Sequence, residues 1–466
     1  MKIPENAVYI LNELEHHGYE AYVVGGCVRD MMLGREPEDW DITTSAKPYE
    51  VKSIFQRTID TGIQHGTVTV MIGKEGYEVT TYRMDGEYED HRHPKEVLYT
   101  PDLLEDLKRR DFTINAMAYN PGTGLVDAFD GMKDLERGCI RCVGIPEERF
   151  EEDALRMLRG IRFAGQLQFE VEEATLQAIV KKAPTLVNVS AERIRTELTK
   201  LILSAGSDRL LLAFQTGLSQ YFLPEFGRML ATGQKNPHHC YDVGHHTIKA
   251  VQEIYHICNC NSEKLTKKQK VILAYAALLH DVAKPECKTT DEEGIDHFQG
   301  HPEQGETMAK EILRRLKFDN ETISIVSRLI RYHDRRHENC LWNGEYSQNG
   351  KKAMRRLTMQ AGKEVMELLF YLQQADLQAQ SEYKRGEKLA KLEAGLRCYR
   401  EINEAGDPVR IKDLALTGKD LIALGMKPGP ELGEMLQKLL DIVMDNPKKN
   451  TKQELEAIVK EAIVTI

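Results

Sequence analysis

The sequence predicts an α+β protein: a small mixed sheet with helices at the N-terminus, followed by domains built from helices alone. Three observations predict it. Residues 1–140 alternate β-like runs (YVVGG, DITT, TVTVMIG, YEVTTYR) with helical stretches, the pattern of a sheet covered by helices. From about residue 147 apolar residues recur at three- and four-residue spacing, as in RFEEDALRMLRGIRFAGQL and SAERIRTELTKLILS. A Gly-, Pro- and Asn-rich break, ATGQKNPHHCYDVG (231–244), then sets off a second helical block that reaches to about 380, and a last block begins near EAGDPVR. The expected divisions are 1–140, 141–230, 231–380 and 381–466.

The first element that carries chemistry is the turn VVGGCVRD (23–30) followed by EPEDWDITT. On a β-strand, residues two apart share a face, so Asp39 and Asp41 are expected to aim together while Trp40 points away. Two carboxylates on one face form a hard-oxygen site for Mg²⁺, an ion usually held by one or two carboxylates plus substrate phosphates. Gly25 and Gly26 let a backbone approach phosphates closely, and Arg29 adds a fork donor. Together these read as a nucleotidyl-transfer site, whereas a D-x-D alone reads equally as a polar turn before a solvated edge strand.

Farther along, Asp153 and Arg156 stand at i, i+3 on a helix expected to begin near Glu151, and Arg159 and Arg162 continue the row. Cytosine and adenine both present an exocyclic amino donor beside a ring-nitrogen acceptor, whereas uracil and guanine present a carbonyl beside a ring N–H. A site that selects C and A must therefore offer one acceptor and one donor, which a carboxylate with an arginine fork does, each bidentate contact being worth about 1–3 kcal/mol. An ordinary surface salt bridge is the alternative at such spacing. Ser190 is an expected N-cap for the helix after it.

Composition bounds the partners. At 466 residues the chain is too long for one core, and length alone implies about three domains. The net charge of −10 does not exclude a polyanion, because binding depends on local patches. Such patches stand at Lys108–Arg110, at Arg149, Arg156, Arg159 and Arg162, and at Lys351, Lys352, Arg355 and Arg356. Nine scattered cysteines suit a reducing compartment, and the sequence shows no apolar run fit to span a bilayer and no leader pattern at its start, so a cytoplasmic protein with no membrane partner is expected. Nothing in the sequence speaks to oligomeric state.

Residues 22–200 resemble a class II CCA-adding tRNA nucleotidyltransferase, of the DNA polymerase β-like superfamily that includes poly(A) polymerases. The resemblance rests on YVVGGCVRDMMLG, DWDITT, RRDFTINAMAYNP, GLVDAFDGMKDLERG, RFEEDALRMLRGIRFA and SAERIRTEL, in the family's order and spacing. It implies template-free addition of C, C and A from CTP and ATP to the tRNA 3′ end by two-metal catalysis. It implies a nucleotidyltransferase head (1–140), a helical neck that selects the nucleotide (141–230) and a tRNA-binding helical tail (381–466). It further implies Glu78 as a third metal carboxylate, Arg110 as a triphosphate contact and Asp153 with Arg156 as the family's E-D-x-x-R element. Thr113 and Asn115 look like structural hydrogen-bonders. The stretch 85–100 corresponds to the loop that marks full CCA addition, although Arg92-His93-Pro94 stands where relatives commonly have R-R-P.

Histidines and aspartates spread over 231–380 can converge on a bundle core as a metal site. His246, His280, Asp281, His301, His333 and Asp376 match the ligand order of an HD domain, a metal-dependent phosphohydrolase fold, which implies a divalent transition metal there. His238, His239, His256 and His297 read as ordinary core or surface residues. In the tail, Gly425, Gly429 and Gly433 with Lys419 and Lys427 suit either a backbone-phosphate contact or a packed hairpin. The rival readings are a poly(A) polymerase, an HD phosphohydrolase with a degenerate transferase head, and a non-catalytic RNA-binding scaffold.

Overall fold

The computed structural model describes residues 3–85, 97–335, 341–342 and 345–464. Arg92, His93 and Pro94 of the expected loop lie outside the described residues. The chain divides into two compact units, Met1–Gly227 and Arg228–Ile466.

In the first unit, helix α1 (Glu5–His16) leads into β1 (Ala21–Val24), whose apolar run is buried throughout except for half-buried Tyr22. Helix α2 (Gly26–Met32), β2 (Ile42–Thr44), α3 (Pro48–Ile54), β3 (Thr58–Gly62), β4 (Thr67–Ile72) and β5 (Glu75–Thr81) follow. A short ribbon β6 (Arg83–Asp85) with β7 (Val97–Tyr99), helix α4 (Leu103–Lys108), and β8 (Ala118–Asn120) with β9 (Gly124–Val126) complete the sheet region. The main sheet has seven strands in the order β3-β4-β5-β2-β1-β8-β9. Every neighbouring pair is antiparallel except β2 with β5, which run parallel with Ile42 opposite Val79. The small mixed sheet is as expected.

Helices α5 (Gly131–Arg137), α6 (Pro146–Glu152), α7 (Leu155–Leu167), α8 (Glu173–Lys182), α9 (Ala191–Ile202), α10 (Leu210–Gln215) and α11 (Glu225–Leu230) then dominate. One expectation is corrected here: Asp153 does not lie on a helix with Arg156. It takes an extended conformation (φ −147°, ψ 102°) in a break between α6 and α7, and its side chain accepts the Leu155 N–H at 3.1 Å. A short carboxylate offers the backbone an alternative partner, which ends one helix and starts the next. Ser190 occupies the N-cap position of α9, without a cap bond from its hydroxyl.

The second unit is helical apart from short two-stranded ribbons: α12 (Val243–Cys260), α13 (Lys267–Leu279), α14 (Lys284–Cys287), α15 (His301–Arg315), α16 (Asn320–Tyr332), α17 (Gln348–Ala361), α18 (Met366–Ala379) and α19 (Arg385–Glu404). Three more, α20 (Gly418–Ala423), α21 (Pro430–Asp445) and α22 (Lys452–Val464), pack Leu421, Leu439, Val443, Leu455 and Val459 into a common core, so the tail hairpin does pack. The basic patch at 351–356 is largely neutralised: Lys351 pairs with Glu401, Lys352 and Arg356 with Asp445, and Arg355 with Asp407. No helix among the described residues is long and apolar enough to cross a membrane.

Candidate active site

Asp39 and Asp41 lie in the segment entering β2, one step earlier than a strand placement predicts. The Asp41 carbonyl still accepts the Val24 N–H at 3.0 Å, so the sheet fixes the backbone that carries it. Because β2 and β5 are parallel with Ile42 opposite Val79, the preceding pair in register is Asp41 with Glu78. Asp39, Asp41 and Glu78 line one open cleft of about 650 Å³, and Trp40, expected to point away, lines it as well. Burial raises the Asp41 carboxyl above its ordinary value, Glu78 and Asp39 raise it further, and Arg110 opposes them. Three carboxylates gathered so that one resists ionisation are a donor set that a divalent cation relieves.

Gly25 is the position that needs glycine. Its φ is +79°, and a Cβ there would stand 2.9 Å from Arg110 Nη1. A Cβ on Gly26 would meet only Arg29 Nη2, at 3.7 Å. The bare turn thus lets the Arg110 guanidinium lie against it. Arg110 donates from Nη2 to Asp106 at 3.3 Å, while its Nε is buried with no hydrogen-bond partner. Asp106 is fully buried and also accepts from Arg109 and from Thr43 of β2, tying the catalytic strand to the arginines.

Arg29 is placed beside the turn, but its fork is not free for phosphate as the sequence suggests. It donates to Asp30 at 2.9 Å and to Asn115 Oδ1 at 2.7 Å. Asn115 in turn donates to Asp111 at 3.2 Å, and Asp111 receives Arg159 Nε at 2.8 Å. This chain of bonds links the glycine turn to α7, and Thr113 bonds Asp134 at 2.6 Å, so both residues are structural as expected. Arg29, Arg159 and Arg162 all lie over the Phe163 ring, at 5.1, 5.3 and 3.8 Å from its centroid.

Asp153 and Arg156 take separate partners, so the alternative reading of a salt bridge between them is not what forms. Asp153 is clamped by Arg193 of α9, at 2.6 and 3.1 Å. Arg156 donates to Glu152 at 2.5 Å and to the Arg109 carbonyl at 3.0 Å, next to Arg110. Arg162 is buried in an ion pair with Glu197, which leaves it a packing role behind the pocket. Of the cationic row, Arg159 remains the most open, with its side chain 33% exposed.

In the second unit all six expected ligands converge. His246 comes from α12, His280 and Asp281 from the end of α13, His301 from the start of α15, His333 from the end of α16 and Asp376 from α18. They form two triads, His246–His280–Asp376 and Asp281–His301–His333. Asp281 joins them: Oδ2 is 3.2 Å from His280 Nε2 and 3.6 Å from His246 Nε2, while Oδ1 is 3.5 and 3.6 Å from those of His301 and His333. His280, His301 and His333 direct Nδ1 to the Ala277, Phe298 and Ile330 carbonyls at 2.7–2.8 Å. That contact protonates Nδ1 and leaves the Nε2 lone pairs facing inward. Two Nε2 pairs then lie 3.3 Å apart: those of His301 and His333 face each other as lone pairs, an approach that only a cation or proton between them makes favourable, while His246 Nε2 lies between His280 Nε2 and Asp376 Oδ1, the latter at 2.9 Å. Burial would raise the Asp376 carboxyl, but the His246 hydrogen bond and the His280 charge hold it well below the usual carboxylate range.

The family model for the poly A polymerase head domain matches residues 21–141, the one described as "Probable RNA and SrmB-binding site of polymerase A" matches 168–230, and one for tRNA nucleotidyltransferase domain 2 matches 289–459. A CCA-adding enzyme of Enterococcus faecalis is 34% identical over 457 residues, covering 98% of this chain and 95% of that protein. The chain belongs to the CCA-adding enzymes. It is a nucleotidyltransferase of the class that the motifs indicate. A relative in Lactobacillus delbrueckii is 53% identical over 215 residues, which is 46% of this chain and 54% of that protein's length. Among solved structures, the Bacillus stearothermophilus CCA-adding enzyme in complex with CTP aligns at a TM-score of 0.73 with 29% identity, covering 100% of this chain and 99% of that one. The Thermotoga maritima enzyme complexed with tRNA shares the fold at a TM-score of 0.58 and 18% identity, covering 99% and 96%.

Sequence reasoning missed several residues that shape this candidate site. Asp106, Asp111, Arg193 and Glu197 hold its arginines or Asp153, and only their burial and long-range pairing reveal them. His239, which the sequence presents as an ordinary core or surface residue, lines the cleft beside the histidine cluster with Nδ1 buried and unpartnered, and burial pushes its pKa down to about 2. Lys284, one turn past Asp281 and 2.7 Å from its Oδ2, is the other residue missed there.

Proposed function

We propose that Asp39, Asp41 and Glu78 hold Mg²⁺ for nucleotide addition, that Arg110 and the Gly25–Gly26 turn receive the triphosphate, and that Asp153 and Arg156 select the base. CCA addition to tRNA from CTP and ATP is the activity of the family, and these residues give it a physical route in this chain. The observation that carries the reading is the parallel β2–β5 register, which sets Glu78 beside Asp41 in one cleft with Arg110 acting on it. Divalent ions held by Asp39, Asp41 and Glu78 would supply activation of the attacking 3′-hydroxyl and charge stabilisation of the departing pyrophosphate. The protein's own part is positioning. The sheet fixes Asp41, Asp106 aims Arg110, and the Asn115–Asp111–Arg159 chain ties the turn to α7. Arg29 and Arg162 support that frame through Asn115 and Glu197.

Incorporation of labelled CTP and ATP into tRNA ending before CCA tests the reading. Three additions and then arrest are expected, and unlimited A-tailing of unstructured RNA without CTP would replace it with the poly(A) polymerase reading. The division into head (1–140), neck (141–230), HD domain (231–380) and tail (381–466) belongs to the same proposal, supported at its first two boundaries by the head and RNA-binding matches. Eight described cysteines are free thiols, the state a reducing cytoplasm maintains.

A second reading is favoured by the histidine cluster: a metal-dependent phosphohydrolase site of the HD type. Four imidazoles and two carboxylates are a donor set for divalent transition metals, and the two triads joined by Asp281 suit a pair of ions. The adjoining cleft, about 550 Å³ and lined by His239, Lys284 and Asn236, has room for a phosphoester.

A further inference from the structure

The acceptor of the base-selecting pair is itself held by another residue. Asp153 Oδ1 accepts the Leu155 N–H and Arg193 Nη1, both at 3.1 Å, and Oδ2 accepts Arg193 Nη2 at 2.6 Å. A carboxylate offers about four lone-pair sites, so three bonds leave one, on Oδ2. Arg193 is not a loose surface partner. It stands on α9 one turn before Glu197, which is buried against Arg162 and also faces Arg159, so the two helices are pinned together beside the clamp. The aim of the carboxylate matters chemically. The same group can accept the amino N–H of cytosine or, turned slightly, the ring N–H of uracil, so discrimination requires that it not turn.

We propose that Arg193 is a specificity-determining positioning residue for nucleotide addition: its bidentate clamp fixes Asp153 so that a single Oδ2 site remains for the amino group of C or A. The proposal rests on the reading of Asp153 as the base acceptor, and it deepens that reading by naming what aims it. A fork holds both oxygens of a carboxylate in one plane, which a lysine, as a point charge, does not.

Steady-state incorporation of all four nucleotides is measured on tRNA lacking CCA for the wild type, Arg193→Ala, Arg193→Lys, Asp153→Ala and the Arg193→Ala/Asp153→Ala double variant, with melting curves for each. The ratio of kcat/KM for CTP over UTP should fall about tenfold or more in Arg193→Ala and by an intermediate factor in Arg193→Lys. The double variant should discriminate no worse than Asp153→Ala alone, because Arg193 acts only through that carboxylate. Equal loss with all four nucleotides, or a lower KM for CTP at an unchanged ratio, would overturn the proposal, the first showing scaffolding and the second competition with the base. An unchanged ratio in Asp153→Ala would instead overturn the base-acceptor reading on which it rests. Arg193→Lys keeps the test decisive where Arg193→Ala folds poorly.

Discussion

Replacing Asp111 with asparagine should cost the first unit about 2–3 kcal/mol at pH 7, and the cost should vanish with acid. Asp111 is 8% exposed and accepts the Phe112 N–H at 2.9 Å, Asn115 Nδ2 at 3.2 Å and the Arg159 fork at 2.7–2.8 Å. Burial alone would raise its carboxyl, but Arg159 and Arg156 outweigh burial and hold it at about 2, against 3.8 ordinarily. A shift of nearly two units at about 1.4 kcal/mol each gives the figure above. The sign follows from the depressed value: the stabilisation is complete above about pH 4 and disappears as pH falls through 2. Asparagine keeps the shape and one acceptor but removes the charge facing Arg159. The assay is urea unfolding across pH in a Trp342→Phe background, which leaves Trp40, the other of two tryptophans, to report on its own unit. The gap between parent and Asp111→Asn should already have narrowed by about 1 kcal/mol at pH 3. A gap that is flat from pH 7 to pH 3, or under about 0.5 kcal/mol throughout, would refute the ion-pair argument.

Three further outcomes are expected. Asp39→Ala or Asp41→Ala should cut nucleotide addition by about a thousandfold or more while leaving tRNA binding near wild type, and turnover within tenfold of wild type would reject these carboxylates as metal ligands. Gly25→Ala, which places a Cβ at φ +79° and 2.9 Å from Arg110 Nη1, should raise KM for both CTP and ATP and cost about 1–3 kcal/mol of stability. An unaltered KM would show that Arg110 does not depend on the turn. His280→Ala combined with Asp281→Ala should release bound transition metal, measured by elemental analysis, with CTP and ATP incorporation unchanged; retained metal would refute the cluster as its site.

The contiguous signals were legible. The glycine turn sits where local sequence puts it, and the D-x-D pair falls just before the strand rather than on it, because a turn and the strand beside it are decided largely by neighbours a few residues apart. The convergence of the six histidine-cluster residues was also legible, since their order along the chain matches that of the resembled domain. The helix break at Asp153 was not legible: Phe150, Ala154, Leu155 and Leu158 are all buried, so the apolar rhythm runs straight through it. The clamp from Arg193 and the tie from Asp106 to Thr43 were equally hidden, because they join residues 40 and 63 positions apart. For the same reason the 351–356 patch looked cationic. Its acidic partners, Glu401, Asp407 and Asp445, come from far along the chain.

Two of the cluster's imidazoles, His280 and His333, are latched by Nδ1 to carbonyls three residues behind them at helix C-termini, where main-chain oxygens lack partners, and His301 is latched to the Phe298 carbonyl just before its helix begins. The helices thereby hold the rings in place through their own termini, and the ordering of the ligands belongs to folding itself. On the metal-site reading, a cage ordered in this way would take one ion in place of another without rebuilding itself, and loading with Co²⁺ would make this half of the molecule its own spectroscopic reporter, its d–d bands reading the ligand field.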